Sequence, residues 1–139
     1  AMKRVKKSLT VTVVEGRDLP VRQAPCQVKL QYKDDKAETM VVRNVPDPLW
    51  NEQFTFRGAY SVLMIEIPGQ GETRLELDLY YEPLVGGRPV ALWIQVPLST
   101  TPVEQSPRLH LRLQAEFHRY NSMHVDPDRP APSRLLVQQ

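Results

Sequence analysis

The stretch from Val41 to Phe56, Val-Val-Arg-Asn-Val-Pro-Asp-Pro-Leu-Trp-Asn-Glu-Gln-Phe-Thr-Phe, leaves a chain few ways to fold. Pro46 and Pro48 fix φ and remove two amide donors, so a ladder does not run through them. Beyond them Trp50, Phe54 and Phe56 alternate with polar residues, the period of a half-buried strand. The segment therefore reads as strand, tight prolyl loop, strand. Taken alone, it fits an ordinary hairpin in any β-sandwich.

The surrounding chain agrees with that class. Its 139 residues are one domain's worth and can bury a core. Thirteen prolines and six glycines, with few long apolar periods, favour short strands and many turns over helices. A net charge of +2 is too small to argue for nucleic acid. One cysteine excludes an internal disulfide and a multi-cysteine zinc site, which makes a reducing, cytoplasmic compartment the simpler expectation. No run of 18 apolar residues and no signal peptide is visible. Ala1-Met2 reads as a cloning remnant ahead of an internal fragment. Residues 1–7 are expected to be a basic extension, 8–120 the folded domain and 121–139 a proline-rich tail.

Ser8 to Glu15 places Leu9, Val11 and Val13 on one face and Thr10, Thr12 and Val14 on the other. Gly16 to Pro20 ends this strand. Cys26 to Lys33 sets Val28, Leu30 and Tyr32 against Gln27, Lys29 and Gln31, and Asp34-Asp35-Lys36 is a polar turn. Ala37 to Asn44 and Trp50 to Arg57 are the third and fourth strands. Ser61 to Ile67 closes at Pro68-Gly69-Gln70-Gly71, a strong turn signal, and Thr73 to Tyr81 alternates again, as a hairpin or an insertion beside the main sheet. Pro89 to Leu98 is another strand. Leu109, Leu111, Leu113, Ala115 and Phe117 make the clearest amphipathic strand, and Trp50, Phe54 and Leu111 are expected to be largely buried.

The string Asn-x-x-x-Pro-x-Trp-Asn-Glu-x-Phe-x-Phe, at Asn44, Pro48, Trp50, Asn51, Glu52, Phe54 and Phe56, resembles the most recognisable motif of C2 domains. Leu9 to Pro20 looks like the opening strand of that family and its exit into the first apical loop. Val96-Pro97-Leu98 is similar to the end of its sixth strand. The likeness covers about Leu9 to Phe117 and is poor between Gly58 and Gly71. It implies an all-β, antiparallel, eight-stranded Greek-key β-sandwich (C2-like) with no long helix. An immunoglobulin-type sandwich is the alternative, though the usual two cysteines are missing. The main pattern supplies seven strands, and Ser61 to Ile67 is preferred over Arg134 to Gln138 for the eighth.

Catalytic signals are absent: there is no nucleophile elbow, no phosphate-cradling glycine loop and no paired histidine motif. Cys26 sits inside a strand pattern, where it reads as a small buried hydrophobe. His110 and His118 lie roughly 26 Å apart along one strand and cannot share a metal. No enzyme activity and no cofactor are expected. The resemblance raises calcium binding, which in this family draws aspartates from two loops at one end of the sandwich. An aspartate is expected just before Pro-Tyr at the start of the second strand, where this chain has Ala24-Pro25-Cys26. The third-loop pattern Asp-x-Asp, with a further Asp six residues on, falls on Tyr81, Pro83 and Pro89, with Glu82 the only acid nearby. Calcium needs six to eight oxygen ligands, so no calcium site is expected.

What the loops offer instead is apolar. Leu19 and Val21 in the first loop, and Leu84 and Val85 in the third, are candidate partner or lipid contacts, together with the basic run Lys3, Arg4, Lys6 and Lys7. Lys29, Lys33, Lys36 and Arg43 resemble the basic strand patch with which some relatives bind phosphoinositides, although Asp34, Asp35 and Glu38 interrupt it. Leu135, Leu136 and Val137 are candidates for a docking tail that adds a strand to an exposed edge. The expected function is a calcium-independent C2 module acting as a protein-interaction or scaffolding domain within a larger cytoplasmic signalling or trafficking protein. Its partner would be another protein or a neighbouring domain of the same chain. The alternative is a peripheral module that targets anionic phospholipid membranes. Neither nucleic acid nor calcium is an expected partner.

Overall fold

The computed structural model describes residues 7–20, 25–98, 102–117 and, as backbone alone, 136–138. Lys3, Arg4, Lys6, Val21 and Leu135 lie outside the described residues. Among the described residues nine strands and one short α-helix follow in order: β1 (Ser8–Arg17), β2 (Lys29–Tyr32), β3 (Asp35–Glu38), β4 (Leu49–Arg57), β5 (Val62–Ile67), β6 (Gly71–Leu77), α1 (Glu82–Val85), β7 (Val90–Gln95), β8 (Arg108–Glu116) and β9 (Leu136–Gln138). One antiparallel sheet has the order β4-β1-β8-β7, the other β3-β2-β5-β6-β9. The chain changes sheet between β1 and β2, β3 and β4, β4 and β5, β6 and β7, and β8 and β9, the Greek-key sandwich that the resemblance implied.

The core is the sum of the inward faces. Leu9, Val11 and Val13 of β1 meet Leu109, Leu111, Leu113 and Ala115 of β8, and across the sandwich Leu30, Tyr32, Leu63, Ile65, Ile67 and Leu75 close on them, all buried. Trp50 and Phe56 are buried too, but Phe54 is only partly so. β4 is an edge strand, so Phe54 covers the rim of the core rather than its centre. The segment Ser61 to Ile67 is an integral strand, with β5 pairing β2 on one side and β6 on the other. The hairpin therefore belongs to the main sheet.

Three strands are shorter than their alternation predicts. β3 stops at Glu38 because Thr39 Oγ1 accepts the Val28 amide at 3.0 Å, after which the Thr39 amide donating to the Val28 carbonyl and an isolated Cys26–Val42 bridge continue the pairing. For the same reason β2 begins at Lys29. β6 ends at Leu77 because Asp78 Oδ1 accepts the Tyr80 amide at 2.9 Å, a side-chain turn that competes with the ladder.

Strand direction gives the sandwich two distinct ends. At the end where β1 finishes lie residues 18–20 and 25–28, the segment 39–48, the turn 68–70 and the described part of the 96–107 connection. The Gly71–Leu98 bridge ties the two sheets together there. At the far end lie the turn 33–34, the segment 58–61, and α1 with its flanks.

Candidate functional site

The prolyl segment is braced from both sides. The Trp50 indole donates from Nε1 to the Met40 carbonyl at 2.9 Å, and the Glu52 carboxylate accepts the Met40 amide at 2.8 Å. The Pro48 carbonyl accepts the Gly16 amide at 2.9 Å and the Pro46 carbonyl the Leu19 amide at 3.0 Å. Asn44 takes a left-handed φ of 61°, which asparagine tolerates better than most residues. Gly16 allows the close approach: a Cβ there would meet Leu19 Cδ1 at 2.5 Å and Trp50 Cζ3 at 3.3 Å. With its backbone so occupied, the segment turns its apolar side chains outward. Met40 is 73% exposed and Leu49 72%, and Val41 and Val45 are exposed with them. These four exposed apolar side chains all lie between residues 40 and 49, a stretch termed the ridge, which also carries exposed Arg43.

That ridge was not among the residues expected to make contact, and several that were expected are placed elsewhere. Leu19 is buried under Gly16 and Trp50 instead of at a loop tip. Leu84 is fully buried and Val85 partly so. Both belong to α1 at the far end, where Gln114 Nε2 donates to the Gly87 carbonyl at 2.8 Å. Segment 81–89 therefore does not share an end with the first loop, and the third-loop positions Tyr81, Pro83 and Pro89 face no site there. The ungapped count failed because the turn that does share that end is the short Pro68-Gly69-Gln70, which carries no carboxylate. Lys7 is exposed, but its carbonyl accepts the Gly58 amide, which puts it at the far end from the ridge.

Asp47 Oδ1 accepts the Asp18 amide at 3.0 Å, and the Asp18 carboxylate lies 3.6 Å from Arg108. Among the described residues no three His, Cys, Asp or Glu side chains are grouped to hold a metal ion.

The basic strand patch is divided. Lys29 and Lys36 line an open groove of about 430 Å³ on the outer face of β2, β3 and β5, but Glu38, Glu66 and Glu72 line it as well. Lys29 lies 4.0 Å from Glu38. Lys33 stands at the far end, 5.4 Å from the Tyr60 ring centroid, and Arg43 belongs to the ridge. A concentrated cationic field does not form on this face.

A second outward cluster escaped the sequence reading. On the outer face of β1, β8 and β7, Glu15, His110 and Trp93 stand in one cross-strand row. The indole stacks on the imidazole with centroids 4.8 Å apart and planes 17° from parallel. His110 Nδ1 lies 3.5 Å from Glu15 Oε2, and Arg17 reaches Glu15 Oε1 at 2.9 Å. The Arg17 and Arg108 guanidinium carbons sit 5.9 and 5.8 Å from the Trp93 ring centroid, within cation–π range. Period-two alternation puts Trp93 on the face of Ala91 and Gln95, but only the pairing of strands shows which cations join it.

The sandwich matches known folds. The C2 domain family model matches residues 7–113. A fragment of extended-synaptotagmin 2 comprising its SMP domain and two C2 domains is similar with a TM-score of 0.61 at 17% identity, over 79% of this chain and 27% of that one. The present chain thus spans about a quarter of that fragment. The first C2 domain of a plant extended synaptotagmin 1 gives a TM-score of 0.58 at 18% identity, over 82% and 97% of the two chains. Human GIVD cytosolic phospholipase A2 gives 0.57 at 20% identity, over 83% of this chain and 17% of that one. A search of curated protein sequences found no match. At these identities the structural likenesses speak for the fold, while the family model covers most of the residues and includes the Asn44–Phe56 motif: the chain belongs to the C2 domain family.

Proposed function

We propose that this C2 domain is a calcium-independent interaction module that binds a protein partner, or a neighbouring domain of its own chain, through the ridge of Met40, Val41, Val45 and Leu49. The observation that carries the reading is the exposure of four large apolar side chains on a segment whose backbone is fixed by Trp50, Glu52, Pro46 and Pro48. Clusters of this kind mark interaction surfaces, and a braced one loses little entropy on binding. Calcium independence is supported by how the ridge carboxylates are engaged: Asp18 faces Arg108, Asp47 holds the Asp18 amide and Glu52 the Met40 amide, which is not the convergent set of six or more oxygens that calcium needs. A non-catalytic role is supported by Cys26, whose thiol pKa is pushed up by burial, away from the thiolate a nucleophile needs. No helix among the described residues is long and apolar enough to cross a membrane. A cytoplasmic setting, peripheral to membranes at most, fits this reading.

A second reading is carried by Arg43, which lies among the ridge residues and would let Met40 and Leu49 enter an anionic bilayer surface. Lys7 stands at the other end and would not share that plane. Sedimentation with phosphatidylcholine–phosphatidylserine vesicles, in calcium and in chelator, separates the two. The protein-partner reading expects no pelleting in either condition. It also expects a photo-crosslinker at Leu49 in the full-length protein to label a protein, and one at Thr55 not to. Pelleting that Leu49→Glu abolishes would replace it with the membrane reading, and pelleting only with calcium would overturn both.

A further inference from the structure

We propose that the outer edge of β7 accepts an extended segment of a protein partner by strand addition, and that the segment carries the pattern acid–x–aromatic–x–acid. This surface lies at the opposite edge of the sheet from Leu49 of the ridge, three strands away, and stands or falls separately.

β7 is the last strand of its sheet, and among the described residues β8 is its only ladder partner. An edge strand presents unpaired amides and carbonyls that can template another chain. Three rows of outward side chains run up to it. Arg17, Arg108 and Gln95 form one row; Glu15, His110 and Trp93 the next; Thr12, Arg112 and Ala91 the third. Among the described residues Trp93 and Ala91 come last in their rows, while Gln95 has a further contact of its own. The middle row ends in an aromatic stack, since the imidazole takes one face of the indole and Trp93 is still 45% exposed. A strand added beside β7 would set its middle side chain next in that row, about 4.8 Å on. An aromatic ring there would continue the stack.

The flanking rows fix the rest of the pattern. Arg108 and Arg112 stand one strand in from the edge, on either side of the Trp93 row. Residues two apart on an added strand share a face and lie about 6.7 Å from each other, so those at i−2 and i+2 oppose the two arginine rows. A carboxylate in the Arg112 row passes over Ala91, whose methyl leaves the way open. Arg108 already faces Asp18 at 3.6 Å, but a guanidinium has five donors and one carboxylate takes at most two. The acids of the cluster, Glu15 and Asp18, belong to β1 and its exit, two strands from the edge, so the edge itself is the cationic side.

The same layout disfavours the other classes of partner. Arg17, Arg108 and Arg112 against Glu15 and Asp18 leave too little net charge for a phosphate backbone. A membrane plane would press Glu15 and Asp18 against anionic headgroups, whereas an extended peptide places its acids only where arginines stand.

The test uses the whole chain and the acetylated, amidated heptapeptide Thr-Glu-Thr-Phe-Thr-Glu-Thr, with counterparts carrying Lys for both Glu or Ala for Phe. Titration is followed by amide chemical shifts and by indole fluorescence. Saturable binding that shifts the Val90–Gln95 amides is expected, weakened about tenfold or more by either counterpart and by Trp93→Ala or Arg112→Ala. Arg112 is exposed and remote from the core, so its variant reports on binding even if the Trp93 variant disturbs the fold. Absence of saturable binding at millimolar peptide, equal binding of the Ala counterpart, or shifts mapping away from β7 would overturn the proposal. So would phosphatidylserine vesicles shifting the indole emission while the peptide does not.

Discussion

Trp50 holds Met40 by its carbonyl, the indole Nε1–H donating across 2.9 Å, while Glu52 on the same strand takes the Met40 amide. Two residues of the motif that makes the family legible thus fix the backbone of the residue that begins the apolar ridge. Recognition of the fold and display of the ridge have one physical cause.

Replacing Trp50 with Phe keeps an aromatic ring in the core and removes the donor. The Met40 carbonyl then loses its indole partner, and a loss of about 1–2 kcal/mol is expected, the usual effect of breaking one hydrogen bond at a part-buried site. Urea unfolding should show a lower midpoint with an unchanged slope. In Glu52→Ala the Met40 amide should exchange with solvent faster, whereas the amides of β1 keep their protection.

Gly71 sits where the two sheets are bridged. A Cβ at this position would collide with the backbone carbonyl oxygen of Pro97, which cannot swing aside as a side-chain tip could. Gly71→Ala is expected to cost about 1–3 kcal/mol, the range for overpacking. Gly69, two residues away, has open space around it and a φ of 74°, so alanine there meets only backbone strain of about 1–2 kcal/mol. Only the first substitution should also speed amide exchange at Leu98, because only it forces the bridge apart.

Alternation made the inward faces of β1 and β8 and the burial of Trp50 legible before any coordinates. What it hid were features with no periodic trace. Between the pairs Val13–Glu52 and Glu15–Leu49, one residue of β1 faces two of β4, and Asn51 takes a φ of 52° to permit it. On the β8 side Val14 has no partner of its own. This bulge reverses the parity of β1, so that Glu15 turns outward to His110 and Gly16 turns inward to Trp50. A strict period of two puts Glu15 on the face of Leu9. The end of the sandwich at which a loop lies depends on the number of strand reversals before it. If only one of β5 and β6 is counted as a strand of the sheet, the count puts the loop of Leu84 at the opposite end from where it lies. Partial exposure of Phe54 follows from strand order, which no local pattern encodes.

Tyr32 gives the fold a dependence on alkaline pH. Its ring is buried against Phe56 and Tyr60, and its hydroxyl accepts the Tyr60 amide and donates to the Tyr60 carbonyl at 3.0 Å. Burial pushes its pKa up to about 12, from 10 for an exposed phenol. The folded state therefore binds this proton more tightly than the unfolded state does. The associated stability is fully present below pH 10 and is lost as pH rises towards 12, about 2–3 kcal/mol in all. Tyr32→Phe should itself be about 1–3 kcal/mol less stable at neutral pH, because both polar groups of Tyr60 lose their partner. Denaturant melts of both proteins from pH 8 to 12 should show the gap between them closing only above pH 10. A constant gap would mean that the phenol does not titrate with folding.

The last strand tests whether the tail belongs to the domain. β9 pairs antiparallel with β6, Leu77 opposite Leu136, Glu76 opposite Val137 and Leu75 opposite Gln138. The Leu77 amide donates to Ser61 on the β5 side at 2.7 Å, and successive amides of a strand point to opposite sides, so the Glu76 amide is directed at β9. A three-residue ladder on an edge contributes little to global stability but covers that edge. Deleting residues 128–139 is therefore expected to move the melting temperature by no more than a few degrees and to speed exchange at Glu76 while leaving Leu77 protected. If the tail docks on its own sheet, the full chain stays monomeric at all concentrations and protection at Glu76 does not depend on concentration. If it adds instead to a second copy, that protection rises with concentration and a dimer sediments. Unchanged exchange at Glu76 after the deletion would show that the ladder does not form in solution.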